Sequence, residues 1–103
     1  MFGTSNLKLK AMEKETMKQF IEDLKIEIAE SLHEQKTLSR RITAEFENIN
    51  KTMNADVDVI KKIEWLETSV QNLIRYKNQY QIEQQHIEWN QNLCTKMEGG
   101  TNE

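Results

Sequence analysis

At 103 residues the chain has room for one small domain, and it contains no proline and only three glycines, at positions 3, 99 and 100. Between Thr4 and Glu98 there is therefore neither of the residues that most reliably break a helix, which excludes glycine-rich phosphate loops, Rossmann turns and turn-rich β-sandwiches. Hydrophobic residues make up 37% and charged residues 30%, lean beside the roughly 45–50% apolar of globular domains, and a net charge of −3 lacks the clustered basic face that nucleic-acid backbones require.

Residues 1–5 read as an N-terminal tail carrying the dipeptide Phe2-Gly3. From there the expected fold class is all-α, with heptad-patterned helices forming a coiled coil or helical bundle with partner chains. Apolar residues recur at alternating steps of four and three. The series runs Met17, Ile21, Leu24, Ile28, Ser31, Gln35, Leu38, Ile42, Glu45, Ile49 and Thr52 in a first segment, residues 6–53. It continues through Asp56, Val59, Ile63, Leu66, Val70, Leu73, Lys77, Tyr80, Gln84, Ile87, Gln91 and Cys94 in a second, residues 54–98. A 3.5-residue period held for about eleven heptads keeps one stripe facing a partner along a supercoil. The expected partner-binding core is Ile21, Leu24, Ile28, Leu38, Ile42, Ile49, Val59, Ile63, Leu66, Val70, Leu73 and Ile87.

The stripe is wider than two positions per heptad. Leu32, Phe46, Met53, Ile60 and Ile74 each follow a d position, and three apolar positions suit a bundle of three or more helices. Between the segments, residues 48–58 are rich in Asn, Asp and Thr, which favour caps and turns. The choice lies between one rod of about 140 Å, at about 1.5 Å per residue, and two helices bent near residue 54. The second is favoured, with Asn54 or Asp56 as cap. Further on, Lys77, Gln84 and Gln91 fall at a positions, and a homodimer would have to bury like pairs there. That points to a hetero-oligomer with other coiled-coil proteins. Gly99-Gly100 should stop the helix and leave residues 99–103 as a disordered tail.

Candidate chemistry is sparse. His33 and His86 share no metal-ligand spacing with Cys94, the carboxylates lie on polar faces, and no catalytic constellation emerges, so neither an enzyme nor a cofactor is expected. A lone cysteine allows no internal disulfide and points to the cytoplasm or nucleus. No apolar run exceeds two residues, so neither a membrane span nor a signal peptide is expected. Trp65, at a c position, and Trp89, at an f position, lie off the seam and mark a candidate second interface.

Three patches carry a resemblance. Phe2-Gly3-Thr4-Ser5 is followed by Lys8, Lys10, Glu15, Phe20-Ile21 and Lys25. Glu30-Ser31-Leu32-His33 comes next, with Phe46 beyond it, and Ile87-Glu88-Trp89-Asn90-Gln91-Asn92-Leu93 stands near the far end. In that order they resemble the coiled-coil region of the cytoplasmic-filament FG nucleoporin CAN, whose members are far longer. The resemblance implies a heterotrimeric coiled coil with two other nucleoporins on the cytoplasmic face of the nuclear pore, supporting mRNA export. It also implies a structural contact for Trp89. Two other readings fit the same residues: a subunit of a vesicle-tethering or kinetochore assembly, and a self-contained helical bundle that binds a small ligand.

Overall fold

The computed structural model describes the backbone from Phe2 to Thr101 and the side chains from Met12 to Gly99. The protein is all-α. Helix α1 spans Phe2–Met53 and helix α2 spans Val59–Thr101, with no strand among the described residues. Strong helix formers fill both elements, and no proline interrupts them. The threonines, which otherwise compete with helical backbone, are accommodated. The hydroxyls of Thr37, Thr43 and Thr68 donate to the carbonyls of His33, Ser39 and Glu64, one turn back, at 3.3, 3.0 and 3.2 Å.

The expected break exists, and its position is sharper than the sequence allowed. Residues 54–58 form the turn. The Asn54 N–H donates to the Asn50 carbonyl and the Ala55 N–H to the Thr52 carbonyl, both at 3.2 Å, tightening the end of α1. Asp58, rather than Asn54 or Asp56, precedes the first residue of α2, and its carbonyl accepts from the Lys62 N–H at 3.0 Å. The reason is that the five turn residues are used up before helical geometry resumes. Lys62 also closes the other side of the turn. Its ammonium donates to the Met53 carbonyl at 3.2 Å, placing a cation at the negative end of α1.

The ends differ from the expected tails. α1 already includes residues 2–5, and α2 continues through Gly99 and Gly100 to Thr101. No glycine among the described residues takes a positive φ. Glycine in a helix costs about 1 kcal/mol, which by itself does not force a stop. Asn102 and Glu103 lie outside the described residues.

The chain divides into two compact units, so that each helix contributes to both. One joins residues up to Ser31 with those from His86 onward; the other is Leu32–Gln85. In the first, Ile21, Leu24 and Cys94 form a buried cluster against which Leu93 and Met97 pack. Asn90 donates to Glu27 at 3.4 Å, and Lys25 pairs with Glu98 at 2.9 Å. In the second, Gln35 donates to Gln84 at 2.8 Å and Asn72 to Glu45 at 3.5 Å. In each unit, residues farther along α1 meet residues earlier in α2, so the helices pair antiparallel, as a helical hairpin. Leu38, 1% exposed, is the most deeply buried large side chain described.

The heptad register holds in α1. Every a and d position from Met17 to Thr52 is buried or half-buried, the polar Ser31, Gln35 and Glu45 included. In α2 it is rotated. The d residues Leu66, Leu73, Tyr80, Ile87 and Cys94 turn inward as expected. Their companions are not the a residues but those one place earlier: Lys62, Ser69, Tyr76, Glu83, Asn90 and Met97. At 100° per residue this amounts to a turn of about 50–60° about the helix axis. The expected core residues Ile63 and Val70, both a positions, are consequently exposed, at 45% and 48%, and Val59, a d position, is exposed at 66% as the first residue of α2.

Candidate interaction surface

The rotation of α2 decides which residues face solvent. Polar groups fill much of the space between the helices in the Leu32–Gln85 unit. Gln35 is buried, and besides its bond to Gln84 its amide reaches the Tyr80 carbonyl at 3.5 Å. Glu45 is buried and accepts from Asn72; Ser69 is buried as well. Among the described residues, no buried side-chain nitrogen or oxygen lacks a hydrogen-bond partner, so these groups are tolerated at little cost.

What the seam gives up appears outside. Phe46 of α1 is 58% exposed and, with half-buried Ile42, faces Val70, Leu73 and Ile74 of α2 across a groove that ends at Lys77. The groove has a volume of about 330 Å³. A second depression continues along α2, lined by Ile63, Leu66, Glu67, Val70 and Gln71. Met53 stands seven residues after Phe46, and Ile60 fourteen before Ile74, so the heptad puts them on the same side. Both are exposed. The result is an apolar face made by both helices of one unit. With about 200 Å² for a fully exposed large side chain, its six most exposed members present roughly 600 Å². That equals the upper end of the roughly 300–600 Å² found for the largest patch on a monomer.

The expected core residues therefore fall into three groups. Ile21, Leu24, Leu38 and Ile87 are buried. Ile28, Ile42, Ile49, Leu66 and Leu73 are half-buried between helices of their own chain. Val59, Ile63 and Val70 face outward. Lys77, Gln84 and Gln91 are exposed too, outside the seam that the chain closes within itself. Trp65 and Trp89 lie off the seam, 42% and 70% exposed.

Phe46 and Ile74 widen the stripe in the sequence, which does not reveal the groove they line. It depends on the inward residues Lys62, Ser69 and Tyr76, whose seven-residue spacing is the signal the sequence carries of the rotated seam.

Among the described residues, the charged cluster with displaced titration lies in the other unit. The Glu98 carboxylate accepts from Lys25 and, at 3.7 Å, from the Cys94 thiol. Its hydrogen bond to Lys25 and the lysine's charge hold it below the ordinary 4.5, while the same pairing raises Lys25 above 10.5. Burial first, and then the neighbouring carboxylate, push the Cys94 thiol above 9.0, which makes it a poor nucleophile. His33 and His86 are exposed. Among the described residues no group of three or more His, Cys, Asp or Glu is placed to hold a metal ion, and no helix is long and apolar enough to cross a membrane.

No family model, no curated protein and no solved structure matches the chain.

Proposed function

We propose that the protein is a structural coiled-coil module, a helical hairpin that closes one seam within its own chain and offers a second apolar stripe to other helices. One observation carries this reading: α2 turns Ser69 and Lys62 toward α1 while leaving Ile63, Val70 and Ile74 outside, beside Phe46. A hairpin that served only its own stability would gain more by burying the isoleucines, at about 25 cal/mol per Å² of apolar surface. Leaving them out makes sense when another helix covers them. The function is assembly, and no chemical step is assigned to any residue.

A photo-reactive residue in place of Ile74 tests this in cells. It should form discrete protein adducts, whereas the same residue in place of exposed Lys36 should form none. Equal labelling from both positions, or none from position 74, overturns the reading.

The patches resembling the CAN nucleoporin support a place for this module at the nuclear pore, in service of mRNA export. A fluorescently tagged chain should then outline the nuclear rim. A signal confined to vesicle membranes or kinetochores moves the module to another assembly.

A further inference from the structure

We infer that residues 54–58 are a hinge. At high concentration two copies of this chain open there and exchange α2, each becoming one continuous helix paired antiparallel with the other. This goes beyond the reading of the outer stripe and does not depend on what occupies the groove.

The first argument is phase. Thr52 and Val59 are d positions on either side of the turn, seven residues apart, and the a positions Ile49 and Ile63 are fourteen apart. A hairpin makes no such demand, since an irregular turn resets the rotation of the next helix, as the g and d seam of α2 shows. A continuous helix does make it, because only an unbroken 3.5-residue period keeps the stripe on one side. In that helix Ile63 and Val70, exposed in the hairpin, stand in line with Ile42 and Ile49.

The chemistry of the turn supplies the second. Residues 54–58 hold neither glycine nor proline, and among the described residues no φ is positive. Nothing in this backbone is closed to a helix. Helical hydrogen bonding already reaches Asn54, which donates to the Asn50 carbonyl four residues back, and it resumes where Lys62 donates to Asp58. Straightening the segment gives the N–H groups between them the same kind of partner.

The third is where apolar residues lie. Turns are ordinarily polar, yet Met53, Val59, Ile60 and Ile63 surround this one, and all are exposed. Setting a positions opposite d positions in an antiparallel pair puts Ile63 against Thr52, Leu66 against Ile49 and Leu73 against Ile42 of the other copy. The two-fold axis then falls between Val57 and Asp58, and the exposed tip of the hairpin becomes the middle of the dimer. The hairpin itself has this alignment, since Gln35 meets the Tyr80 carbonyl and Ile21 packs with Cys94. Exchange therefore rebuilds the same helix pair between copies. It also turns Lys77 and Gln84 toward the seam, which opposes it and leaves the closed hairpin as the dilute form.

Light and heavy-isotope copies of the full chain, unfolded and refolded together at low and high concentration, test the inference. A carbodiimide then joins Lys25 to Glu98, whose charged groups stand 2.9 Å apart and within reach of solvent. At high concentration the chain should sediment as a dimer, and mass spectra should show Lys25–Glu98 links that combine one light and one heavy copy. At low concentration every such link should stay within one isotope. The triple variant Asn54→Ala, Asp56→Ala, Asp58→Ala raises helix propensity across the hinge and should bring dimerisation to concentrations at least about tenfold lower. A monomer at every concentration, a dimer without mixed links, or a triple variant with unshifted dimerisation overturns the inference. The isotope readout uses the native sequence, so it holds even if the variant misfolds. Adducts from position 74 test the outer stripe separately, so the two readings can fail independently.

Discussion

The two compact units are built from the same two helices and the same heptad, yet they spend their apolar residues differently. The unit containing both chain ends keeps Ile21, Leu24, Ile87 and Cys94 out of water, and sets an exposed ion pair, Lys25–Glu98, beside them. The Leu32–Gln85 unit buries Leu38 together with Gln35, Glu45 and Ser69, and holds Phe46, Ile63, Val70 and Ile74 outside. One seam resembles a small hydrophobic core. The other is a polar, hydrogen-bonded contact with its best hydrophobic surface held in reserve. Periodicity alone thus says that a helix has an apolar side; it does not say against what that side is laid.

The largest effects should come from the residues that both seams bury. Leu38→Ala and Leu24→Ala should each lower the unfolding free energy by about 2–5 kcal/mol, as buried leucine truncations do, read from urea denaturation. A loss below about 1 kcal/mol at Leu38 would show that the polar seam has no packed centre, and would break the comparison at that point.

Next in size is the polar seam itself. Gln35→Ala removes the partner of Gln84 and of the Tyr80 carbonyl, and should cost about 0.5–1.5 kcal/mol. In a double-mutant cycle with Gln84→Ala the two changes should be coupled. Simple additivity would mean that the 2.8 Å bond contributes nothing in solution.

Smaller still is the response of the outer face. In dilute monomer, Ile74→Ala and Ile63→Ala should stay within about 0.5 kcal/mol of the native chain, against the much larger loss at Leu24. A comparable loss would show that these residues are already covered within the hairpin.

The smallest effect sharpens the contrast from the other unit. Because Glu98 titrates below 4.5 in the fold, its pairing stabilises above that pH and is lost as pH falls through the depressed value. Because Lys25 titrates above 10.5, its contribution is complete below that pH and is lost as pH rises through the raised value. Lys25→Met should therefore melt slightly below the native chain at neutral pH and low salt, with the difference closing in acid. The side chains of Lys25 and Glu98 are 61% and 46% exposed, so salt should erode the difference as well. A deficit that persists in acid would assign it to packing of the lysine stem.

Much of this architecture was legible in advance. The absence of proline and mid-chain glycine predicted helix, and the dense run of Asn and Asp around Asn54 predicted the break. The α1 register could be read to the residue, even through Ser31, Gln35 and Glu45, because one long helix preserves its phase. Beyond the turn the phase was lost. Five non-helical residues separate Met53 from Val59, and nothing in a periodic series encodes the angle through which a turn rotates the next helix. The series continued into α2 therefore keeps its d positions and misplaces its a positions by one step. It reads Val70 and Gln91 in place of Ser69 and Asn90, and makes exposed Lys77 and Gln84 look like awkward core positions.

The sequence by itself determined two long helices, where they part, and that each has an apolar flank, because helix propensity and a 3.5-residue period are local properties. Only the tertiary structure decided that the chain is its own first partner, and that α2 presents its g and d positions, not a and d, to α1. The physical reason is that the orientation of a helix about its axis is fixed by packing across a turn. In this protein that packing satisfies the hydrogen bonds of Gln35, Glu45 and Asn90 and leaves Phe46, Val70 and Ile74 outside the seam.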